Sequence, residues 1–403
     1  MRDGVFGWHA GRSVRTASGV VAHEVHFTSQ VWKGIRWEHH LAVLVPENLS
    51  ASGPALLLVT GGHHLYLSTA GHLAARTGRV VGVLYDVPNQ PLFDGLVEDA
   101  LLSYSLQRCL ETGETDWPLL LPMVKSVVRG MDALEAFCAE RGHAVTGFMV
   151  SGASKRGWTT WLTPVVDDRV RAIAPAVYDN LGLPAQMRHQ VATWGEYSER
   201  IHDYTERGLP QLAADGRARE MLPLVDPYEH LDRITVPKLL IIGTNDRYWP
   251  LDALNLYANE IAGPTWFVYI PNVGHNAINT DRARNGLERL LLHVNGEMAM
   301  PTLRWHIEDG PAIEISGDPP PQSVRLWAAH RPDRDFRSAL WNEVDSARGD
   351  TAATLNVPVD GAPFTAAFAE AAWAEGDRPC SLASNVMIYD REGRVLSAPG
   401  DVQ

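Results

Sequence analysis

Lysine is almost missing from this 403-residue chain. Lys33, Lys125, Lys155 and Lys238 stand against 31 arginines. Basic residues together fall short of acidic ones, 35 to 48, for a net charge of −13. A general nucleic-acid binder needs a Lys/Arg surface to neutralise phosphates, so that class is not expected. Cysteine is as scarce: Cys109, Cys138 and Cys380 form no CxxC pair and cannot build a disulfide framework. No stretch approaches the ~18 consecutive apolar residues of a membrane span. The opening MRDGVFGWHAGRSVR has no apolar run of signal-peptide type, so a cytoplasmic location is expected. There is no Walker A and no G-x-G-x-x-G after a strand, so no nucleotide cofactor is expected.

What is present suits a folded enzyme. Apolar residues make up 45% and charged residues 21%, enough to bury a sizeable core. The length predicts two domains. The 13 tryptophans suit pocket walls or extra core.

Apolar runs alternate with amphipathic stretches from about residue 40 to 295. Residues 40–46, 55–62, 79–88, 145–152, 170–178, 238–246 and 265–272 read as strands. Val127, Met131, Leu134 and Phe137 give 124–139 a helical period, and 282–294 reads as a helix. Strands apolar throughout and separated by helices predict a doubly wound, mostly parallel α/β sheet, with its site at the carboxyl ends of the strands. Residues 91–122 and 179–226 interrupt the pattern just after strands. They read as cap insertions, or equally as ordinary surface helices. From 300 the runs become short and alternating, the pattern of an antiparallel sandwich. The expected division is therefore a catalytic domain over 1–299 and a β-sandwich over 300–403. The latter holds nine arginines and 16 acidic residues, so it carries over half of the net charge.

The chemistry centres on Val150-Ser151-Gly152-Ala153-Ser154-Lys155-Arg156-Gly157. It joins an apolar strand to a helix, as a nucleophile elbow does, with Ser154 at the apex and the Lys155 N–H facing the oxyanion. The pattern departs from G-x-S-x-G, because Arg156 stands where the second glycine belongs and Gly157 follows it. Ser151 is a rival that lies inside the strand. In this fold the acid and then the base follow in the chain. Asp246 ends one strand in KLLIIGTND and His275 follows the next in VYIPNVGHN, giving a Ser154–Asp246–His275 triad. Asp252 competes as the acid but is expected to cap or enter the helix after Pro250. Thr60-Gly61-Gly62-His63-His64 should supply the second oxyanion donor, from Gly62 or His63. His63–His64 lacks a third ligand at metal spacing, so no metal is expected. Asn89, Gln90 and Glu98 after one strand, Tyr178 and Asp179 after another, and Trp194 in the second insertion are candidates for binding the substrate, and Glu98, Asp86 or Asp179 could hold the ammonium of a peptide.

GASKRGWTTWL with VVDDRVRAIAPAVYDNL resembles the signature of the PhoPQ-activated pathogenicity-related proteins. The likeness extends to VWKGIRWEHHLAVLVP, VDPYEHLDRITVPKLLIIGTNDRYWPLDALNLYANEI and SVRLWAAHRPDRDFR, and covers most of 25–390. It implies an α/β-hydrolase fold with a C-terminal β-sandwich, and the same three catalytic residues. It also implies peptidase-like cleavage of short peptides, and export in many members. The elbow further resembles the G-x-S-x-x-G of glucuronoyl and related carbohydrate esterases. The expected function is a serine hydrolase, an exopeptidase on short peptides ahead of a carboxylesterase. A binding or signalling protein on a hydrolase scaffold is the alternative from another class. The expected partner is a small-molecule or short-peptide substrate, with neither nucleic acid nor membrane.

Overall fold

The computed structural model describes residues 4–16, 19–50, 52–62, 66–307, 310–348, 352–359 and 361–396. The chain forms two compact units. One comprises Met1–Tyr178, Ala218–Lys238 and Leu290–Met298; the other comprises Asp179–Arg217, Leu239–Arg289 and Ala299–Gln403.

In the first unit the elements run β1 (Gly7–Arg15), β2 (Val20–Trp32), β3 (Ile35–Pro46), β4 (Gly53–Val59), α1 (Leu67–Thr77) and β5 (Val81–Leu84). They continue as α2 (Glu98–Thr112), α3 (Leu120–Ala139), β6 (Val145–Ala153), α4 (Lys155–Val166) and β7 (Val170–Ala176). The strands lie in the order β1-β2-β3-β5-β4-β6-β7. The pairs β5/β4, β4/β6 and β6/β7 are parallel, while β1/β2, β2/β3 and β3/β5 are antiparallel. Leu56, Leu57, Leu58, Phe148, Met149 and Val150 are all buried, which is why these strands read as unbroken apolar runs rather than alternating ones. On α3, Val127, Met131, Leu134 and Phe137 are fully buried, as their period predicts. The long hairpin of β1 and β2 does not stand out in the sequence. Its β1 arm is mostly exposed, so no apolar run marks it.

The second unit holds α5 (Leu183–Trp194), β8 (Lys238–Gly243), β9 (Thr265–Ile270) and the C-terminal strands. These are β10 (Thr302–Ile307), β11 (Ala312–Asp318), β12 (Ser323–Arg331), β13 (Asn342–Arg348), β14 (Ala352–Asn356), β15 (Phe364–Glu375), β16 (Arg378–Ala383) and β17 (Met387–Asp390). One sheet runs β8-β9-β16-β15-β12-β13, with β17 also on β15; β10-β11-β14 form a separate antiparallel sheet. Ile313, Ile315 and Leu355 from the small sheet and Val324, Leu326 and Ala371 from the large one are buried, forming the sandwich core. The sandwich strands are continuous with the α/β part of this unit, because Ala383 on β16 pairs with Phe267 on β9. The architecture is an α/β-hydrolase sheet with an antiparallel C-terminal β-sandwich. Among the described residues no helix is long and apolar enough to cross a membrane.

Candidate active site

Ser154 sits between β6 and α4 with φ 59° and ψ −127°, a region an L-residue enters at a cost of ~1–3 kcal/mol. Backbone bonds hold it there. Its N–H donates to the Ala176 carbonyl (2.9 Å), and its own carbonyl accepts from the Trp158 N–H (2.9 Å). The turn also needs two side-chain-free positions. A Cβ on Gly152 would stand 2.8 Å from the Arg156 Cβ, and one on Gly157 would stand 2.8 Å from the Ala176 carbonyl oxygen and 3.0 Å from the Tyr178 Cβ. The glycine displaced by one position therefore does the packing job of the elbow's second glycine. Ser151 is buried and donates its hydroxyl to the Ala174 carbonyl (2.7 Å), a bond internal to the sheet.

The displaced glycine leaves room for two cations beside the serine. Arg156 Nη1 and Nη2 donate to the two oxygens of Glu98 (2.7 Å each), and Lys155 Nζ lies 2.8 Å from Glu98 and 3.2 Å from Asp99. Gln90 closes the group: its amide donates to Glu98 Oε1 (2.5 Å), and its oxygen accepts from the Glu98 N–H (2.8 Å). Burial alone would raise the Glu98 carboxyl, but the hydrogen bonds and charges of Arg156 and Lys155 outweigh it and hold the group well below the usual carboxylate range. Glu98 and Gln90 are thus brought together, while Asn89 turns to accept from the Glu38 N–H (3.4 Å). Gly62 donates its N–H to Thr60 Oγ1 over 3.4 Å, a long bond. His63, the other candidate donor, lies with His64 outside the described residues. Tyr178 stacks on Trp158, ring centroids 5.0 Å apart.

In the second unit Asp246 and His275 meet. His275 Nδ1 lies 2.8 Å from Asp246 Oδ2, while Asp246 Oδ1 accepts from the Tyr248 N–H (2.9 Å). The Tyr248 ring stacks on the imidazole at 4.0 Å between centroids, which fixes the ring plane. The loops after β8 and β9 can approach because position 243 is glycine; a Cβ there would overlap the carbonyls of Val273 and Gly274. Asn245 N–H to Val273 O (3.0 Å) and Asn272 N–H to Thr244 Oγ1 (3.0 Å) tie the loops together. His275 Nε2 is buried and makes no hydrogen bond. Tyr248 is a contributor that the sequence reading missed, although it stands only two residues after Asp246.

Asp252 belongs to a different constellation. It makes no side-chain cap bond; one oxygen lies 2.7 Å from His189 Nε2 and the other 3.0 Å from Arg334 Nη2. Asp252 does stand just before the 3-10 turn Ala253–Leu256, but its carboxylate caps nothing, because His189 and Arg334 take both of its oxygens. Asp179 is also buried, accepting from the Tyr257 hydroxyl (2.7 Å). Burial, aided by the charges of Asp246 and Asp252, pushes its carboxyl up to about 7. Trp194 lies beneath the Arg337 guanidinium, 4.2 Å from its ring centroid.

Known proteins agree with this architecture. Autocrine proliferation repressor protein A of Dictyostelium discoideum is 30% identical over 370 residues, 83% of this chain and 74% of its own. Among solved structures, acetyl xylan esterase 1 from Thermoanaerobacterium sp. JW/SL YS485 superposes with a TM-score of 0.50 at 17% identity, covering 68% of this chain and 83% of its own. The glucuronoyl esterase from Solibacter usitatus gives 0.50 at 11% identity, covering 74% and 87%. At such identities these two show the fold alone. The model of the PhoPQ-activated pathogenicity-related proteins matches residues 2–337, and with the elbow, the Asp–His pair and the Dictyostelium relative it makes the chain a member of that family.

Proposed function

We propose that this protein is a serine hydrolase working through an acyl-enzyme, with Ser154 as nucleophile, His275 as base and Asp246 as the acid that orients it. The Asp246–His275 pair carries the reading. A carboxylate on Nδ1 fixes the tautomer whose Nε2 lone pair accepts a proton, and that Nε2 is buried without a partner. The strained Ser154 backbone supports it, since an elbow keeps its hydroxyl oxygen exposed. Ser154 Oγ attacks the acyl carbon and its proton passes to Nε2. The carbonyl π pair moves to oxygen, stabilised by the Lys155 N–H and a second N–H from Gly62 or His63. Collapse breaks the bond to the leaving group, which takes the proton from His275. Water repeats the sequence on the acyl-enzyme and frees the acid.

The acyl donor we favour is an ester. An exopeptidase acting on a free N-terminus needs a carboxylate to hold the substrate's ammonium, and each candidate already has partners. Glu98 meets Arg156 and Lys155, Asp86 lies 2.9 Å from His40 Nδ1, and Asp179 accepts from Tyr257. Both solved structures above are esterases by name, but a fold does not choose a substrate, so the paired carboxylates support the choice. The test is a fluorophosphonate probe on the full chain, followed by nitrophenyl acyl esters beside aminoacyl naphthylamides. Labelling and ester turnover should both vanish in Ser154→Ala. Amide turnover exceeding ester turnover would return the peptidase reading. A folded chain that does not label would favour the binding-scaffold alternative.

A further inference from the structure

Arg156 stands two residues after Ser154, and its buried guanidinium reaches three separate segments. Nε donates to the Val87 carbonyl (2.5 Å), and the two terminal nitrogens hold Glu98 at the start of α2. The third contact is with Gly61: the guanidinium fills the space a side chain there would take, and a Cβ on Gly61 would stand 2.6 Å from the Arg156 Cζ. The Val87 N–H in turn donates to the Thr60 carbonyl (3.1 Å). Thr60 and Gly61 are therefore fixed to Arg156 from two directions, once through Val87 and once by direct packing. Gly62, a candidate oxyanion donor, is the next residue. Lysine could not replace this fork, because it offers a point charge where three directed N–H bonds are needed.

We propose that Arg156 is the positioning residue of the oxyanion hole, setting the Thr60–Gly62 turn relative to the helix that carries Ser154. This rests on the serine-hydrolase reading. It also gives the altered elbow a physical reason. The helix packing that glycine would serve at position 156 passes to Gly157, and position 156 is free to carry the clamp. Glu98 holds the guanidinium in plane, and Lys155 and Gln90 hold Glu98. A donor displaced by about 1 Å costs on the order of 100-fold in rate, so loss of the clamp should appear in kcat.

The experiment uses the full chain and a nitrophenyl acyl ester, with circular dichroism and fluorophosphonate labelling of every variant. Arg156→Lys, Arg156→Ala and Gly61→Ala should each lower kcat about 100-fold while KM changes little. The Gly61→Ala/Arg156→Ala double variant should be no slower than Arg156→Ala, because the clash at Gly61 requires the guanidinium. If Arg156→Ala does not fold, Glu98→Gln serves instead. It keeps the volume, loosens the fork, and should lower kcat about tenfold with KM unchanged. Unchanged kcat in folded Arg156 variants, or multiplying losses in the double variant, would overturn the proposal while a labelled wild type leaves the hydrolase reading standing. A wild type that neither labels nor turns over ester overturns both.

Discussion

Asp179→Asn should remove a pH dependence that the wild type carries in its interior. Asp179 is 4% exposed and accepts from the Tyr257 hydroxyl at 2.7 Å, a bond that an asparagine oxygen can also accept. Burial is the main cause of its raised value, with the charges of Asp246 and Asp252 adding to it and the Tyr257 bond opposing it. Moving a carboxyl from 3.8 to about 7 makes its ionised form cost ~4 kcal/mol in the folded state. The sign follows from the raised value. The stability conferred by the bound proton is complete below 3.8 and is lost as the pH rises through about 7. The gap between Asp179→Asn and the wild type should therefore shift by ~4 kcal/mol in favour of the variant from pH 4 to pH 8. Any constant cost of placing an amide there cancels in that shift. Urea unfolding across that range measures the change. Infrared difference spectra should show a protonated buried carboxyl in the wild type that titrates near neutrality and is absent from the variant. Parallel stability curves, or a carboxyl already ionised at pH 5, would refute the reasoning.

Three further substitutions separate neighbouring roles. Gly157→Ala forces a methyl to within 2.8 Å of the Ala176 carbonyl and should destabilise by ~1–3 kcal/mol, read as a lower urea midpoint. Asp252→Ala leaves buried His189 and half-buried Arg334 without their carboxylate and should cost ~3–5 kcal/mol, whereas Asp246→Ala should mainly abolish turnover in a chain that stays folded. Denaturation and ester assays on the two aspartate variants distinguish them.

The parallel core was legible because both faces of its strands are buried. That burial requires unbroken apolar runs such as LLLV before Gly61 and FMV before Ser151. The elbow was legible as strand, small residues, serine and helix. Its irregular spacing was not, since only the approach of Ala176 and Tyr178 to Gly157 shows which glycine does the packing. The strands β13 and β16 do not stand out in the sequence. The first is mostly exposed and charged, and the second opens on Arg-Pro and is too short to alternate clearly. Asp252 could not be placed from the sequence, because its partners His189 and Arg334 lie 63 and 82 positions away. Glu98 looked like a free acid for the same reason: its cations are far along the chain.

The sequence by itself determined the fold class and the family, because burial pattern and motif spacing are local properties of the chain. Only the tertiary structure decided which acids are occupied. It gave Glu98 to Arg156 and Lys155, Asp252 to His189, and Asp246 to His275. A carboxylate's protonation and function are set by the charges and donors within a few ångströms of it, and those come from residues that only folding brings together. Lys155 shows this for the scarcest cation in the chain. As a letter it was the residue after the serine; folded, it is one of the two cations that hold Glu98 in place.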